Sequence, residues 1–329
     1  MTRWKAVSER ICRYCGNGYS ATTFKKDAHV IPRFMGNAHL LCDDECDSCN
    51  ELFATYETDL SYYLGITPLF SGLDTGFRIP KFKSPGEKLI VEPKMINGAK
   101  TLVFSDKDRR RFIIGEETTK IRYNKPSFVP VHIYKALLKF ALAILPHDEI
   151  KQYKPVIDFL LINKFEHYFS PLAKIAEFNL IGKRIAVPYC FLFKKHDGQP
   201  DLPKHIFQLY FGSMVFELFI PFHQMDAHIY NNPNGSLPPV CPPLLFSPIK
   251  QRQTVRKRIA DLSSSEKVTN EFDELTFEYS PNNRQNIGAV DPETGEELVF
   301  KPEEIINIAY IPKGTVLPIK NNNSNFEDL

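Results

Sequence analysis

Cys12-Arg13-Tyr14-Cys15 stands near the start of the chain, and Cys46-Asp47-Ser48-Cys49 follows after 30 intervening residues. Between the two pairs runs Phe24-Lys25-Lys26-Asp27-Ala28-His29-Val30-Ile31-Pro32, and Asn50 directly follows the second pair. A CxxC turn can point two thiolates at one ion. Two such turns complete a closed tetrahedral site, so Cys12, Cys15, Cys46 and Cys49 are expected to hold a structural zinc ion (Zn2+). A segment this short cannot bury much core, and the free energy of metal binding would then serve as folding free energy.

The remaining cysteines support that reading. Five of the seven (Cys12, Cys15, Cys42, Cys46 and Cys49) lie in the first 49 residues, and only Cys190 and Cys241 lie beyond. A secreted disulfide scaffold would spread its bridges along the chain. A redox CxxC comes singly, at a helix start after a strand. Cys42 reads as a buried spectator thiol, with substitution for one of the four ligands as the alternative. Cys190 sits in an apolar run and reads as core.

The order CxxC, then His29-Val30-Ile31-Pro32, then CxxC-Asn50 at a helix start resembles the HNH endonucleases of ββα-metal fold, in their zinc-binding branch. The resemblance covers about the first 60 residues, 84 at most. It implies a β-hairpin that presents His29 and a helix that presents Asn50. His29 would be the general base toward water. Asn50 would be an oxygen ligand to a catalytic divalent cation, Mg2+ or another, which would stabilise charge on the scissile phosphate. The zinc would stand apart from the chemistry. The family usually carries an acidic residue or histidine immediately before the catalytic histidine, and Ala28 occupies that place here. Asp27, two residues before His29, would share its face on a regular strand and is the candidate second ligand. For the asparagine that braces the hairpin loop, Asn37 and His39 are both candidates.

The net charge is only +2, so any nucleic-acid surface has to be local. Residues 1–60 hold seven Lys/Arg against nine Asp/Glu; residues 78–125 hold 13 against six, a local excess of seven. Arg78, Lys81, Lys83, Arg109, Arg110 and Arg111 are the candidates there for tracking a DNA phosphate backbone without reading sequence. Arg252, Arg256, Lys257 and Arg258 make a second patch. Ordinary solvated faces are the competing reading for both.

Hydrophobic residues make up 43% and charged residues 24% of the 329, which permits a sizeable core and excludes wholesale disorder. The length suggests about two domains. The expected fold class is α+β, with a small zinc-stabilised ββα-metal domain over 1–64. A basic Gly/Pro-rich irregular connector over 65–100 would lead to a larger mixed α+β domain over 101–250. A C-terminal extension over 251–329 would follow, frayed at its end.

Short antiparallel strands are expected over 101–124 and a helix over His132–Leu145, ended by Pro146. A second helix is expected over His147–Leu161, with Pro155 as a kink or boundary. A third helix is expected over 166–178 and a basic-polar one over 246–262. Residues 184–193 read as a strand, and 205–220 as a hairpin turning at Gly212-Ser213. His223 and His228 flank Asp226, but their spacing after a proline is poor for a metal.

The start, MTRWKAVSER, is charged and lacks an apolar h-region. Val131–Pro146 is too short, and interrupted by Lys135 and Lys139, to span a bilayer. A soluble cytoplasmic protein with no membrane partner is therefore expected. The functional expectation is a metal-dependent endonuclease cutting phosphodiester bonds in DNA. Its setting would be bacterial restriction or phage defence. The larger domain would target it or answer to a small-molecule or protein regulator, and a homodimer would let two single-strand cuts combine. The alternative is a catalytically inactive zinc-ribbon module that binds nucleic acid or a protein partner.

Overall fold

The computed structural model describes residues 10–70, 81–96, 99–108, 110–162, 172–180, 185–196, 198, 202–230, 255–278 and 307–310. The chain divides into two compact units, each drawn from two stretches: Met1–Thr75 with Ser127–Val268, and Gly76–Pro126 with Thr269–Leu329. The class is mixed α+β, with three antiparallel sheets among the described residues.

The first unit contains helix α1 (Asp47–Leu64), whose buried residues Cys49, Phe53, Tyr56, Leu60, Tyr63 and Leu64 recur at three- and four-residue intervals. That stripe packs on helix α2 (Pro130–Ala143). Pro130 starts α2 at a position that needs no N–H donor, and all but one of its residues are buried, Lys135 and Lys139 included. Each fully buried Leu, Ile or Phe there contributes about 1.5–3 kcal/mol of transfer free energy. Short helix α3 (His147–Ile150), a 3-10 turn (Lys151–Tyr153) and helix α4 (Lys154–Leu161) continue the chain. Pro155, in the first turn of α4, divides the expected single helix.

Against these helices lies a five-stranded sheet in the order β10-β6-β9-β8-β7. Its strands are β6 (Lys174–Leu180), β7 (Ile185–Lys194), β8 (His205–Gly212), β9 (Met214–Phe219) and β10 (Val255–Asp261). Strands β8 and β9 form the expected hairpin, with Phe211 opposite Met214. Gly212 has φ +56°, as the first residue of a primed two-residue turn requires. Phe207, Leu209, Phe211, Phe216 and Leu218 alternate onto the helix side and join one core with α1 and α2.

Two segments expected to be helical carry strands where they are described. Strand β6 covers 174–178 of the 166–178 segment and runs on to 180, and β10 covers 255–261 of 246–262. Ile175 pairs with β10, and Glu177 and Asn179 pair with both β9 and β10; that pairing overrides local helix preference. Strand β10 is an edge strand, exposed over most of its length, so its polar character reports position in the sheet rather than a helical face.

The second unit holds two smaller sheets. One has the order β1-β2-β3-β12 and the other β11-β5-β4. Their strands are β1 (Phe82–Lys83), β2 (Leu89–Ile96), β3 (Ala99–Asp106), β4 (Phe112–Ile114), β5 (Thr118–Asn124), β11 (Phe272–Glu278) and β12 (Asn307–Tyr310). The antiparallel strands expected over 101–124 are present. The connector expected over 65–100 is not irregular throughout, because β2 pairs with β3 along its whole length. Phe82 packs edge-on to Tyr123, and Phe104 to Phe277. Residues 163–171, 246–254 and the C-terminal tail, on which other expectations fell, lie outside the described residues, as do Arg78, Arg109 and Cys241.

Candidate metal centre and the His29 hairpin

The first CxxC folds as a tight turn. Ile11 bridges Gly18, the Cys12 amide donates to Asn17 O at 2.9 Å, and the Gly16 amide donates to Cys12 O at 3.0 Å. Gly16 takes φ +74° to close it, a conformation that disfavours a side chain. The second CxxC sits at the start of α1. Cys46 is the N-cap residue and Cys49 lies in the first turn. The Arg13 amide donates to Asp44 O at 2.8 Å and ties the two turns together.

The four sulfurs of Cys12, Cys15, Cys46 and Cys49 lie within 4.8 Å of one another. Cys12 Sγ is 3.8 Å from Cys49 Sγ, and Cys15 Sγ is 3.7 Å from Cys46 Sγ. A tetrahedron of zinc–sulfur bonds of ~2.3 Å has edges of ~3.8 Å. The separations therefore fit a tetrahedral thiolate site, and the four cysteines could hold a structural metal ion such as zinc. Without a cation, crowded sulfurs compete for negative charge. The hydrogen bond with Cys49 draws the Cys12 thiol down to about 5, and the same contact pushes Cys49 far up. Cys42 does not join them. Its thiol donates to Asp44 Oδ1 at 3.3 Å, and burial holds it well above the ordinary thiol range. Among the described residues, no other cluster of three or more His, Cys, Asp or Glu ligand atoms comes together.

Residues 28–30 and 40–42 pair as a short hairpin. The Val30 amide donates to Leu40 O at 3.0 Å, the Cys42 amide donates to Ala28 O at 2.8 Å, and His29 stands opposite Leu41. Asn37 braces the connecting loop. Its Nδ2 donates to Ile31 O at 2.6 Å and Leu40 O at 3.0 Å, and its Oδ1 accepts from the amides of His39 at 3.1 Å and Leu40 at 2.9 Å. Of the two candidate braces, the side chain that closes the loop is Asn37. Just before the hairpin, Asp47 at the head of α1 accepts the amides of Lys25 at 3.0 Å and Lys26 at 2.9 Å, and Thr23 donates to it. Burial opposes the ionised form of Asp47, but these donors outweigh it and hold the carboxyl below its ordinary range. The approach to His29 is thus laced to the helix that carries Cys49 and Asn50.

Ala28 is buried and Asp27 is exposed. Asn50 is half-buried, and its amide donates to Cys46 O at 2.9 Å. His29 Nε2 accepts from Arg33 Nε at 2.7 Å, and an Arg33 terminal nitrogen lies 4.0 Å from Asp27 Oδ2. His29 Nδ1 is buried and makes no hydrogen bond among the described residues. Burial first and the Arg33 guanidinium second push His29 below the ordinary imidazole value of 6.5, against a smaller opposing pull from Asp27.

Helix α2 backs the cysteine module from within the same unit. Arg13 Nη1 donates to the carbonyls of Leu142 at 2.9 Å and Ala143 at 2.5 Å, in the last turn of α2. Tyr14 Oη donates to Lys139 O at 3.2 Å. The buried Lys139 ammonium donates to His29 O at 2.5 Å and lies 3.1 Å from Glu57 and 3.4 Å from Glu45. Burial disfavours its charge, but Glu57 and Glu45 outweigh that and keep it protonated. The Glu45 carboxyl is raised to about 7, by burial first and by Glu57 as well, against the pull of Lys139. Lys135 donates to Ile162 O at 2.5 Å and lies over the rings of Phe159 and Tyr56. Sequence reading took these lysines only as interruptions of an apolar run. A lysine on the buried stripe of such a helix is a signal that a partner must exist inside.

A second buried polar cluster joins the helices to the large sheet. His205 Nε2 lies 2.8 Å from Glu149 Oε2, and its Nδ1 lies 2.6 Å from Tyr153 Oη. Burial drives the His205 imidazole down to about 4 despite Glu149. His223 caps the 3-10 turn of Gln224–Asp226 by accepting from the Met225 amide.

Three of the candidate phosphate contacts of the second unit are engaged by carboxylates. Lys81 pairs with Glu92 at 2.6 Å, Lys83 with Glu87 at 2.5 Å, and Arg111 with Asp108 at 3.6 Å and Asp106 at 3.8 Å. Arg110 is exposed. In the first unit Arg258 pairs with Glu177 at 2.6 Å.

No helix among the described residues is long and apolar enough to cross a membrane. Comparison with protein-family models, with curated proteins and with solved structures finds no match to this chain.

Proposed function

We propose that the first unit carries a metal-dependent endonuclease of HNH type, acting on nucleic-acid phosphodiester bonds and on DNA first. The observation that supports it most is the hairpin around His29. An asparagine-braced loop and a helix bearing Asn50 are built on one four-cysteine frame, in the order and spacing of that family. His29 would take the proton of an attacking water. Asp27 and Asn50 would supply oxygen ligands. The divalent cation, Mg2+ or another, supplies charge stabilisation at the phosphate when bound. The rest of the chain would direct or restrain the cut, in a restriction or phage-defence setting, under a small-molecule or protein regulator. A homodimer would allow both strands to be cut.

The test is plasmid cleavage by the zinc-loaded full chain with Mg2+, Mn2+ or Ni2+. Nicking or linearisation by wild type, lost in His29→Ala, is the expected result. A wild type that cuts no plasmid with any of these metals refutes the reading. A His29→Ala variant that cuts equally well removes His29 from it.

One observation favours a second reading. Ala28 is buried at the place where the family carries a metal ligand. A catalytically inactive zinc module that binds nucleic acid or a protein partner would need no ligand there. It would retain plasmid binding without cleavage.

A further inference from the structure

We infer that Arg33 is a phosphate-binding residue of this site, and that it caps His29 until a nucleic-acid phosphodiester draws it away. The role given to His29 rests on the endonuclease reading. Arg33 opens the 3-10 turn Arg33–Met35, and Pro32 fixes the entry to it. Its position four residues after His29 lets its side chain fold back over the imidazole, with Nε donating to Nε2 at 2.7 Å.

That contact decides what His29 can do. The nitrogen that accepts has its lone pair engaged. The other, Nδ1, then carries the ring proton of the neutral tautomer, and it is buried without a partner. In this arrangement neither nitrogen can take a proton from water. Nε2 becomes a base only when the guanidinium leaves.

The surroundings make departure easy. The Arg33 side chain is 71% exposed, and Asp27, whose carboxylate lies 4.0 Å from it, is 70% exposed, so the pair is weak. A neutral imidazole is a poor acceptor for an always-charged guanidinium beside a phosphate, whose oxygens match its planar fork in two parallel bonds. A phosphodiester arriving over His29 therefore exchanges a neutral acceptor for an anionic one. It frees the base in the same step that binds the substrate. On the inner side, Lys139 holds the His29 main chain, so the ring can change partners while its backbone stays in place.

The test uses the zinc-loaded full chain labelled with ¹⁵N-histidine and a short duplex DNA oligonucleotide, with no added divalent cation. His29 is identified by its absence in His29→Ala. At saturating DNA, the His29 Nε2 resonance of wild type is expected to move to the position it already holds in free Arg33→Gln, where DNA moves it little further. The slope of log affinity against log salt is expected to fall by about 1 in Arg33→Gln and to be retained in Arg33→Lys. An unmoved His29 resonance at saturation, an unchanged salt slope in Arg33→Gln, or no DNA binding at all overturns the proposal. A wild type that shows these signatures yet never cuts a plasmid would refute the endonuclease reading and leave the role of Arg33 in phosphate binding standing.

Discussion

Lys139→Met keeps the length and apolar stem of the side chain and deletes its charge. The lost contacts are those to His29 O at 2.5 Å, Glu57 at 3.1 Å and Glu45 at 3.4 Å. Two carboxylates then share a buried site with no cation. Removing one partner of a buried ion pair costs roughly 3–5 kcal/mol, because the other charge is left uncompensated. Glu45, already raised to about 7, can escape part of that cost by taking up a proton. The expected loss is therefore nearer the lower end at pH 6 than at pH 8. For a unit of this size, about 2–4 °C of Tm accompanies each kcal/mol, so the shift should be about 6–20 °C. The assay is thermal unfolding of the zinc-loaded full chain, repeated at both pH values. The triple variant Lys139→Met/Glu45→Gln/Glu57→Gln should recover a large part of the loss, since a neutral group leaves no buried charge behind. A single variant within about 2 °C of wild type would refute the reasoning, and so would a triple variant no more stable than the single one.

Zinc analysis of the purified chain should give one ion per molecule. Cys12→Ser or Cys46→Ser should lose it and unfold the cysteine module, while Cys42→Ala should keep full stoichiometry because its sulfur lies outside the group; zinc loss in Cys42→Ala would refute the ligand assignment. His205 is held at about 4 against an ordinary 6.5, so protons bind the unfolded chain first as pH falls. The stability it contributes is full above 6.5 and disappears on the way down to about 4. It is worth about 3 kcal/mol, and His205→Gln should flatten the acid limb of a stability–pH curve taken at saturating zinc; parallel curves would refute this. Asn37→Ala removes four hydrogen bonds from the hairpin loop and should cost about 1–3 kcal/mol. Hydrogen exchange checks it locally, since the Leu40 amide loses its partner; unchanged protection there would show that the loop does not depend on Asn37.

What the sequence disclosed followed from how local the signals are. The paired CxxC turns, the apolar period of α2 and the glycine turn between β8 and β9 are each specified by neighbours a few residues apart. The brace could not be chosen between Asn37 and His39 by spacing, because the choice depends on which side chain reaches the carbonyls of Ile31 and Leu40. Strands β6 and β10 read as helices because their partners lie far off in the chain: Ile175 faces Ala260, and Glu177 faces Arg258. Lys139 was opaque for the same reason, since Glu45, Glu57 and the His29 carbonyl come from the other end of the unit. Arg33 stands four residues past His29, but that its side chain turns back onto the ring is a matter of the folded structure and not of spacing.

The two-stretch construction of each unit sets an order of events during synthesis. The sulfurs of Cys12 and Cys49 are 37 residues apart, so a metal can close that site as soon as α1 has left the ribosome. Arg13 must wait for the carbonyl of Ala143, 130 residues later. The second unit waits longest, because Arg122 meets Glu274 across 152 residues and β3 receives β12 later still. A nascent chain ending near residue 268 would hold the four-cysteine site and the five-stranded sheet, while β3 and β5 still display unpaired edges. Those edges are templates for pairing with other chains. The interval between translating residue 124 and residue 310 is therefore the time in which a chaperone would matter most to this protein.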